Sequence, residues 1–197
     1  MKSPLIDNFY RIFDVVRPAS ICEIGTHDGK SAKQMCEYLL ELGIDVNYTG
    51  YDLFEEANDE THKIGHNGKG TGRLSIATAK LQSVREKYPT RFNYVLHKGD
   101  STKILNTPQK YDFAFIDGGH NYEIVKHDYS MLSETPVVIF DDYIIKGVAE
   151  AVDEIDNVWQ IDTKCKRNKR KQAVRFLDSS IVDKLAEGVI KWVYPNT

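Results

Sequence analysis

The stretch ASICEIGTHDGKSA, residues 19–32, is a short β-rich apolar run that turns through two glycines into a helical pattern. From Lys30 to Leu42 the apolar residues Ala32, Met35, Cys36, Leu39 and Leu40 recur at helical spacing. The same strand–turn–helix alternation continues outward from this unit. Further apolar runs are NYTGYDL (47–53), FNYVLHK (92–98), YDFAFID (111–117) and PVVIFDD (136–142), each closing in polar or glycine-rich residues. Between them, helices are predicted over Leu74 to Tyr88, with Leu74, Ala77, Leu81 and Val84 on one face, over Tyr122 to Leu132, and over Val148 to Ile155. Such alternation predicts an α/β fold, a mostly parallel sheet with helices on both faces. After the fifth run, VWQID (158–162) and QAVRFL (172–177) follow without a helix-length connection, which predicts an antiparallel pair closing the sheet edge.

A chain of 197 residues has the length of one α/β domain, and its 41% hydrophobic and 28% charged residues allow a full core without metal or disulfide staples. One domain over 1–197 is expected, with an N-terminal helix within 1–18. A net charge of -3 disfavours nucleic acid as a partner, and no run of apolar residues is long enough to cross a bilayer. With no signal-like segment in MKSPLIDNFY, a cytoplasmic protein is expected. Cys22, Cys36 and Cys165 form neither a CxxC pair nor an even framework, so reduced, partly buried thiols are expected.

The first turn is the place where doubly wound folds bind nucleotide-like ligands, because glycine admits a ligand to the backbone and the helix start offers free N–H groups. Gly25 and Gly29 flank it. Thr26 and His27 stand where a dinucleotide fingerprint needs its second glycine, so hydride chemistry is disfavoured. GTHDGKS (25–31) is one residue short of a phosphate-binding P-loop, which leaves an ATP-dependent phosphotransferase using Lys30 and Ser31 as the alternative enzyme. A non-catalytic protein that binds an adenosine ligand is the other alternative. Asp52, at the end of the second run, is placed to accept hydrogen bonds from a ribose, and Asp100 and Ser101 in HKGDST to meet an adenine.

The fourth run ends in Asp117 before Gly118, Gly119 and His120, and the fifth ends in Asp141 and Asp142. If those strands are neighbours, three carboxylates and an imidazole converge, and oxygen ligands of this kind suit Mg²⁺.

Glu23-x-Gly25-x-x-x-Gly29, Asp52, Gly99-Asp100-Ser101, FIDGGHNYE and IFDDY together resemble the class I S-adenosylmethionine-dependent methyltransferases, and within them the macrocin O-methyltransferase-like group. That resemblance spans most of the chain and is strongest from Phe115 to Tyr143. It implies a Rossmann-like seven-stranded sheet with an antiparallel last strand. It also implies S-adenosylmethionine as methyl donor, a small-molecule hydroxyl as acceptor, and a divalent metal such as Mg²⁺. The cofactor contacts it implies are Glu23, Gly25, Thr26, His27, Gly29, Ser31, Asp52, Leu53, Asp100, Ser101 and Asp117. Asp117, Asp141 and Asp142 become metal ligands, with His120 the general base and Asp117 beside it in catalysis. Catechol-type relatives carry asparagine in place of Asp142 and lysine in place of His120.

Other features read as surface or packing. Phe54 to Gly72 is long for a connection and suits a lid or substrate loop; within it His62 and His66 flank glycines that argue against a helix. The run from Lys164 to Lys171 reads as a solvated hairpin loop between two edge strands. Phe9, Tyr10 and Phe13 share a helical face that covers either the site or the sheet. A homo-oligomer is compatible with these residues and not dictated by them.

Overall fold

Runs such as FAFI and VVIF bury every side chain, and they set the middle of the sheet. The computed structural model describes residues 4–58, 61, 70–161, 172–178, 180–186 and 192–193. His62, His66, Cys165 and the basic run from Lys164 to Lys171 lie outside these residues. The strands are β1 (Ser20–Ile24), β2 (Val46–Asp52), β3 (Phe92–Lys98), β4 (Phe113–Ile116), β5 (Val137–Phe140), β6 (Val158–Ile161), β7 (Gln172–Phe176) and β8 (Trp192–Val193). They form one sheet in the order β3-β2-β1-β4-β5-β7-β6-β8. β3 through β5 pair in parallel, while β7 pairs antiparallel with both β5 and β6.

The seven strands expected are present, and a two-residue β8 adds an eighth beside β6. The antiparallel pair closes the sheet edge as expected, with β6 the outermost of the long strands there. Within the pair, β7 enters between β5 and β6 and buries all five of its residues. The helix α6 (Lys146–Asp153) returns the chain to start β6 parallel to β5, one strand-width away. The direct return from β6 then runs antiparallel and fills that gap.

Alternate residues of the central strands face opposite layers. Ile21, Phe113, Phe115, Val137 and Ile139 pack against α1 (Pro4–Val16), α2 (Lys30–Glu41), α3 (Leu74–Lys87) and α7 (Ser180–Ala186). Cys22, Ile24, Ala114, Ile116, Val138 and Phe140 face α5 (Tyr122–Leu132) and α6, with Leu105 just beyond the single turn α4 (Ser101–Ile104). α1 covers the sheet and not the site. Phe9 meets Phe115 edge-on at 4.8 Å between ring centres, Phe13 meets Phe113 at 4.9 Å, and Tyr10 stacks on Tyr38 of α2 at 3.9 Å. Cys22 and Cys36 are free and fully buried, so their thiols are pushed well above the usual value, first by desolvation.

Candidate active site

The parallel ladder continues one residue past the strands and draws their carboxyl ends into a row. The Gly25 amide donates to the Tyr51 carbonyl at 2.8 Å, that of Asp117 to Ile24 at 2.8 Å, that of Gly99 to Asp52 at 2.9 Å and that of Asp141 to Ile116 at 3.0 Å. The strand order reverses between β1 and β4, so the crevice opens at the switch point where such folds bind ligands.

Gly25 makes the turn possible. Its φ is +96°, and a Cβ there would lie 2.1 Å from the Asp117 carbonyl oxygen. The following residues are tied down by side chains that the strand ends present. Asp52 accepts the His27 amide at 2.8 Å and the Phe54 amide at 2.6 Å, bracing both loops at once. Asp28 accepts the Arg73 amide at 3.0 Å, Lys80 reaches the Asp28 carbonyl at 2.7 Å, and His27 Nε2 lies 2.8 Å from the Gly70 carbonyl oxygen. The end of the long connection is thereby laid along the glycine turn.

A cleft of about 410 Å³ opens there, lined among others by Gly25, Thr26, His27, Asp28, Lys30, Ser31, Asp52, Leu53, Asp117 and His120. An adjoining cavity of about 140 Å³ shares Gly25, Asp52, Leu53 and Gly118 with it and is lined further by Tyr51, Asp100, Ser101 and Thr102. Ten of the site residues expected from the sequence thus meet in one continuous space: Gly25, Thr26, His27, Ser31, Asp52, Leu53, Asp100, Ser101, Asp117 and His120. Asp100 also caps α4, its carboxylate accepting the Thr102 amide at 3.0 Å. Burial raises its pKa, but the Thr102 bonds and the Lys103 ammonium outweigh that and the net shift is downward.

Four expected residues line neither space. Gly29 starts α2 at φ 69° and donates to the Thr26 carbonyl at 2.8 Å. Glu23 lies fully buried beneath the turn, where its carboxylate accepts the Tyr48 hydroxyl. Desolvation pushes that carboxyl well up, the Tyr48 bond pulls it down, and the charges of Asp117 and Asp52 push it up again. Asp142 sits behind His120, with Oδ2 3.3 Å from His120 Nε2.

Asp141 differs from expectation more. Donor atoms of Asp117, His120 and Asp142 all lie within 4.8 Å of one another, the one such group among the described residues, and Asp141 is not in it. Asp141 and Asp142 follow the end of β5, and Asp142 adopts φ 51°, so the two neighbours differ in backbone setting. The converging set is two carboxylates and an imidazole, and it fits a divalent cation by its donor chemistry.

Sequence reasoning did not single out Asp128, which α5 buries completely behind the smaller cavity. Its oxygen would stand 3.7 Å from a Cβ on Gly118. Burial pushes its carboxyl up to about 7, with the Ser101 hydroxyl acting in the other direction and the charge of Asp100 adding to the rise. An acid at a core position of a helical pattern was the available signal.

A parallel sheet in this order, with a glycine turn and acids at its switch point, defines a class I methyltransferase fold. Residues 22–143 match the family described as a methyltransferase domain, and the chain belongs to that family. The O-methyltransferase NovP is similar in structure, with a TM-score of 0.65 at 17% identity over 88% of this chain and 79% of that one. The O-methyltransferase TomG from Streptomyces achromogenes, solved in complex with S-adenosylmethionine, gives 0.61 at 13% identity over 90% and 82%. An O-methyltransferase from Bacillus cereus, solved with S-adenosylhomocysteine, gives 0.58 at 13% over 89% and 82%. No curated protein matches the chain in sequence. Among the described residues, no helix is long and apolar enough to cross a membrane.

Proposed function

We propose that this methyltransferase moves the methyl group of S-adenosylmethionine to a hydroxyl oxygen of a small molecule of the sugar, polyol or phenolic type, in the cytoplasm. One observation carries the reading: the Asp117–His120–Asp142 group opens onto the same cleft as the glycine turn, since Asp117 and His120 line both. In this reading the nucleoside lies along the smaller cavity and the wall it shares with the cleft, with Asp100 and Ser101 at its base end and Asp52 within reach of its ribose. The amino-acid tail then follows Gly25 to His27.

Methylation at oxygen requires that the hydroxyl lose its proton as the O–C bond forms and the S–C bond breaks. With no cation in the group, His120, whose ring Asp142 orients from 3.3 Å, is the base. Asp117, His120 and Asp142 are also the residues that would hold a divalent cation; when bound it would lower the pKa of the acceptor hydroxyl, and His120 would then serve as a ligand in place of the base. An imidazole among the donors moves the preference from the all-oxygen set that suits Mg²⁺ toward a borderline cation. Neither the phosphotransferase nor the non-catalytic reading has support of this kind: Gly25 to Ser31 stays one residue short of a P-loop, and a sensor has no use for the buried acid–imidazole group.

Calorimetric titration of ligand-stripped protein with S-adenosylhomocysteine, ATP and Mn²⁺ tests the reading. S-adenosylhomocysteine and Mn²⁺ should bind and ATP should not, while Asp142→Ala should lose Mn²⁺ and keep S-adenosylhomocysteine. Binding of ATP alone would overturn the cofactor assignment; undiminished Mn²⁺ binding by the variant would remove the metal role.

A further inference from the structure

Tyr48 lies in mid-β2 and lines neither cavity, yet its hydroxyl sits directly under the glycine turn. Its side chain is fully buried. The phenolic proton goes to the Glu23 carboxylate, and the same oxygen lies 3.1 Å from Thr26 Oγ1. A phenol has one proton to give, so the Thr26 hydroxyl donates to Tyr48. The result is a directed chain from Thr26 through Tyr48 to Glu23, three side chains at most 2% exposed.

Gly50, two residues along the same face of β2, leaves space for this chain. A Cβ there would fall 2.4 Å from Thr26 Oγ1 and 2.9 Å from the Tyr48 hydroxyl. Thr26 is the hinge between the buried chain and the cleft. Its side chain points down to Tyr48, its carbonyl accepts the Gly29 amide at 2.8 Å, and it lies between Gly25 and His27 on the cleft wall.

We infer that Tyr48 is a positioning residue for the cofactor cleft: by bridging Glu23 and Thr26 it holds the Gly25–Asp28 turn in the shape that receives the ligand. This rests on the reading of the cleft as an S-adenosylmethionine site. Removing the Tyr48 hydroxyl strands a buried carboxylate and a buried threonine hydroxyl together, and the turn is freed to seek other partners. Thr26→Val breaks the same chain from its other end, whereas Thr26→Ser preserves the hydroxyl.

The test is S-adenosylhomocysteine affinity by calorimetry, with thermal melting in parallel, for wild type, Tyr48→Phe, Thr26→Val, Thr26→Ser and the Tyr48→Phe/Thr26→Val double variant. The two hydroxyl-deleting variants should each bind about ten-fold more weakly. The double variant should bind no more weakly than either alone, and Thr26→Ser, which keeps the hydroxyl, should recover the greater part of the affinity that Thr26→Val loses. A purely structural hydroxyl would lower the melting temperature of Tyr48→Phe and leave its affinity intact; that result, or fully additive losses in the double variant, overturns the inference. If Tyr48→Phe does not fold, Thr26→Val against Thr26→Ser decides, equal affinities counting against the chain. Wild-type protein that binds no S-adenosylhomocysteine would instead remove the cofactor reading beneath it.

Discussion

At the scale of single residues, the site depends on atoms that leave space as much as on atoms that react. Gly25 combines a φ of +96° with a backbone oxygen 2.1 Å from where a Cβ would stand, so any side chain must push the β4 end away from β1. Gly25→Ala should abolish S-adenosylhomocysteine binding and cost about 2–4 kcal/mol of stability, from backbone strain plus the clash. Calorimetry and urea unfolding check both parts, and a variant that still binds with wild-type affinity would mean that the turn is not the cofactor cradle. This glycine was legible in the sequence because its place after a strand has a physical reason. The division of labour among the acids was not. Two neighbouring aspartates look alike in sequence, and only the local backbone beyond β5, where Asp142 adopts φ 51°, accompanies the grouping of Asp142 with Asp117 and His120. Glu23 shows the same limit: its position on β1 is legible, but its burial under the turn follows from Tyr48, a residue that reads as an ordinary strand aromatic.

At the scale of elements, the long periodic segments could be read with small error and the short ones could not. Fourteen residues of α3 and eleven of α5 carry enough apolar positions to declare their period, and β3 agrees with its expected bounds. The single turn α4 has no buried residue and owes its place to the Asp100 cap, so hydrophobic spacing has nothing to report there. The insertion of β7 is likewise invisible locally, since strand order is set by crossover handedness and not by composition. For α1 the aromatic stripe was legible but its target was not. The structure seats Phe9 against Phe113 and Phe115, and neither Phe9 nor Phe13 lines either cavity. Phe9→Ala should therefore cost about 3–5 kcal/mol in urea unfolding while leaving S-adenosylhomocysteine affinity unchanged. A fall in affinity that accompanies the fall in stability would place α1 in communication with the site.

For the whole molecule, the sheet that collects its acids at one edge also has to bury some of them. Alternation of strands and helices made the sheet and its ligand edge legible, because every element agrees on the same layered solution. The electrostatic cost of that arrangement was not legible, since it depends on which acids the opposite helices seal off from water. Asp128 is the clearest case. Its ordinary value is 3.8 and burial raises it to about 7 in the folded protein. Between these values the folded chain holds a proton that the unfolded chain has released, so stability falls as pH rises through this window and stays lowered above it. At roughly 1.4 kcal/mol for each pH unit the window spans, the loss is at most about 4 kcal/mol, and the Ser101 hydroxyl, already acting against the rise, loses part of its own bond on substitution. Asp128→Asn keeps the shape and removes the charge. Its stability relative to wild type should increase from about pH 5 to about pH 8, reaching a gain of about 1–3 kcal/mol at the upper end. Urea unfolding of both proteins at the two pH values measures that difference directly, with all shared titrations cancelling. A difference that does not change with pH would mean that Asp128 is charged in the folded state throughout, with its cost already met by Ser101, and that the smaller cavity carries a full negative charge behind its floor.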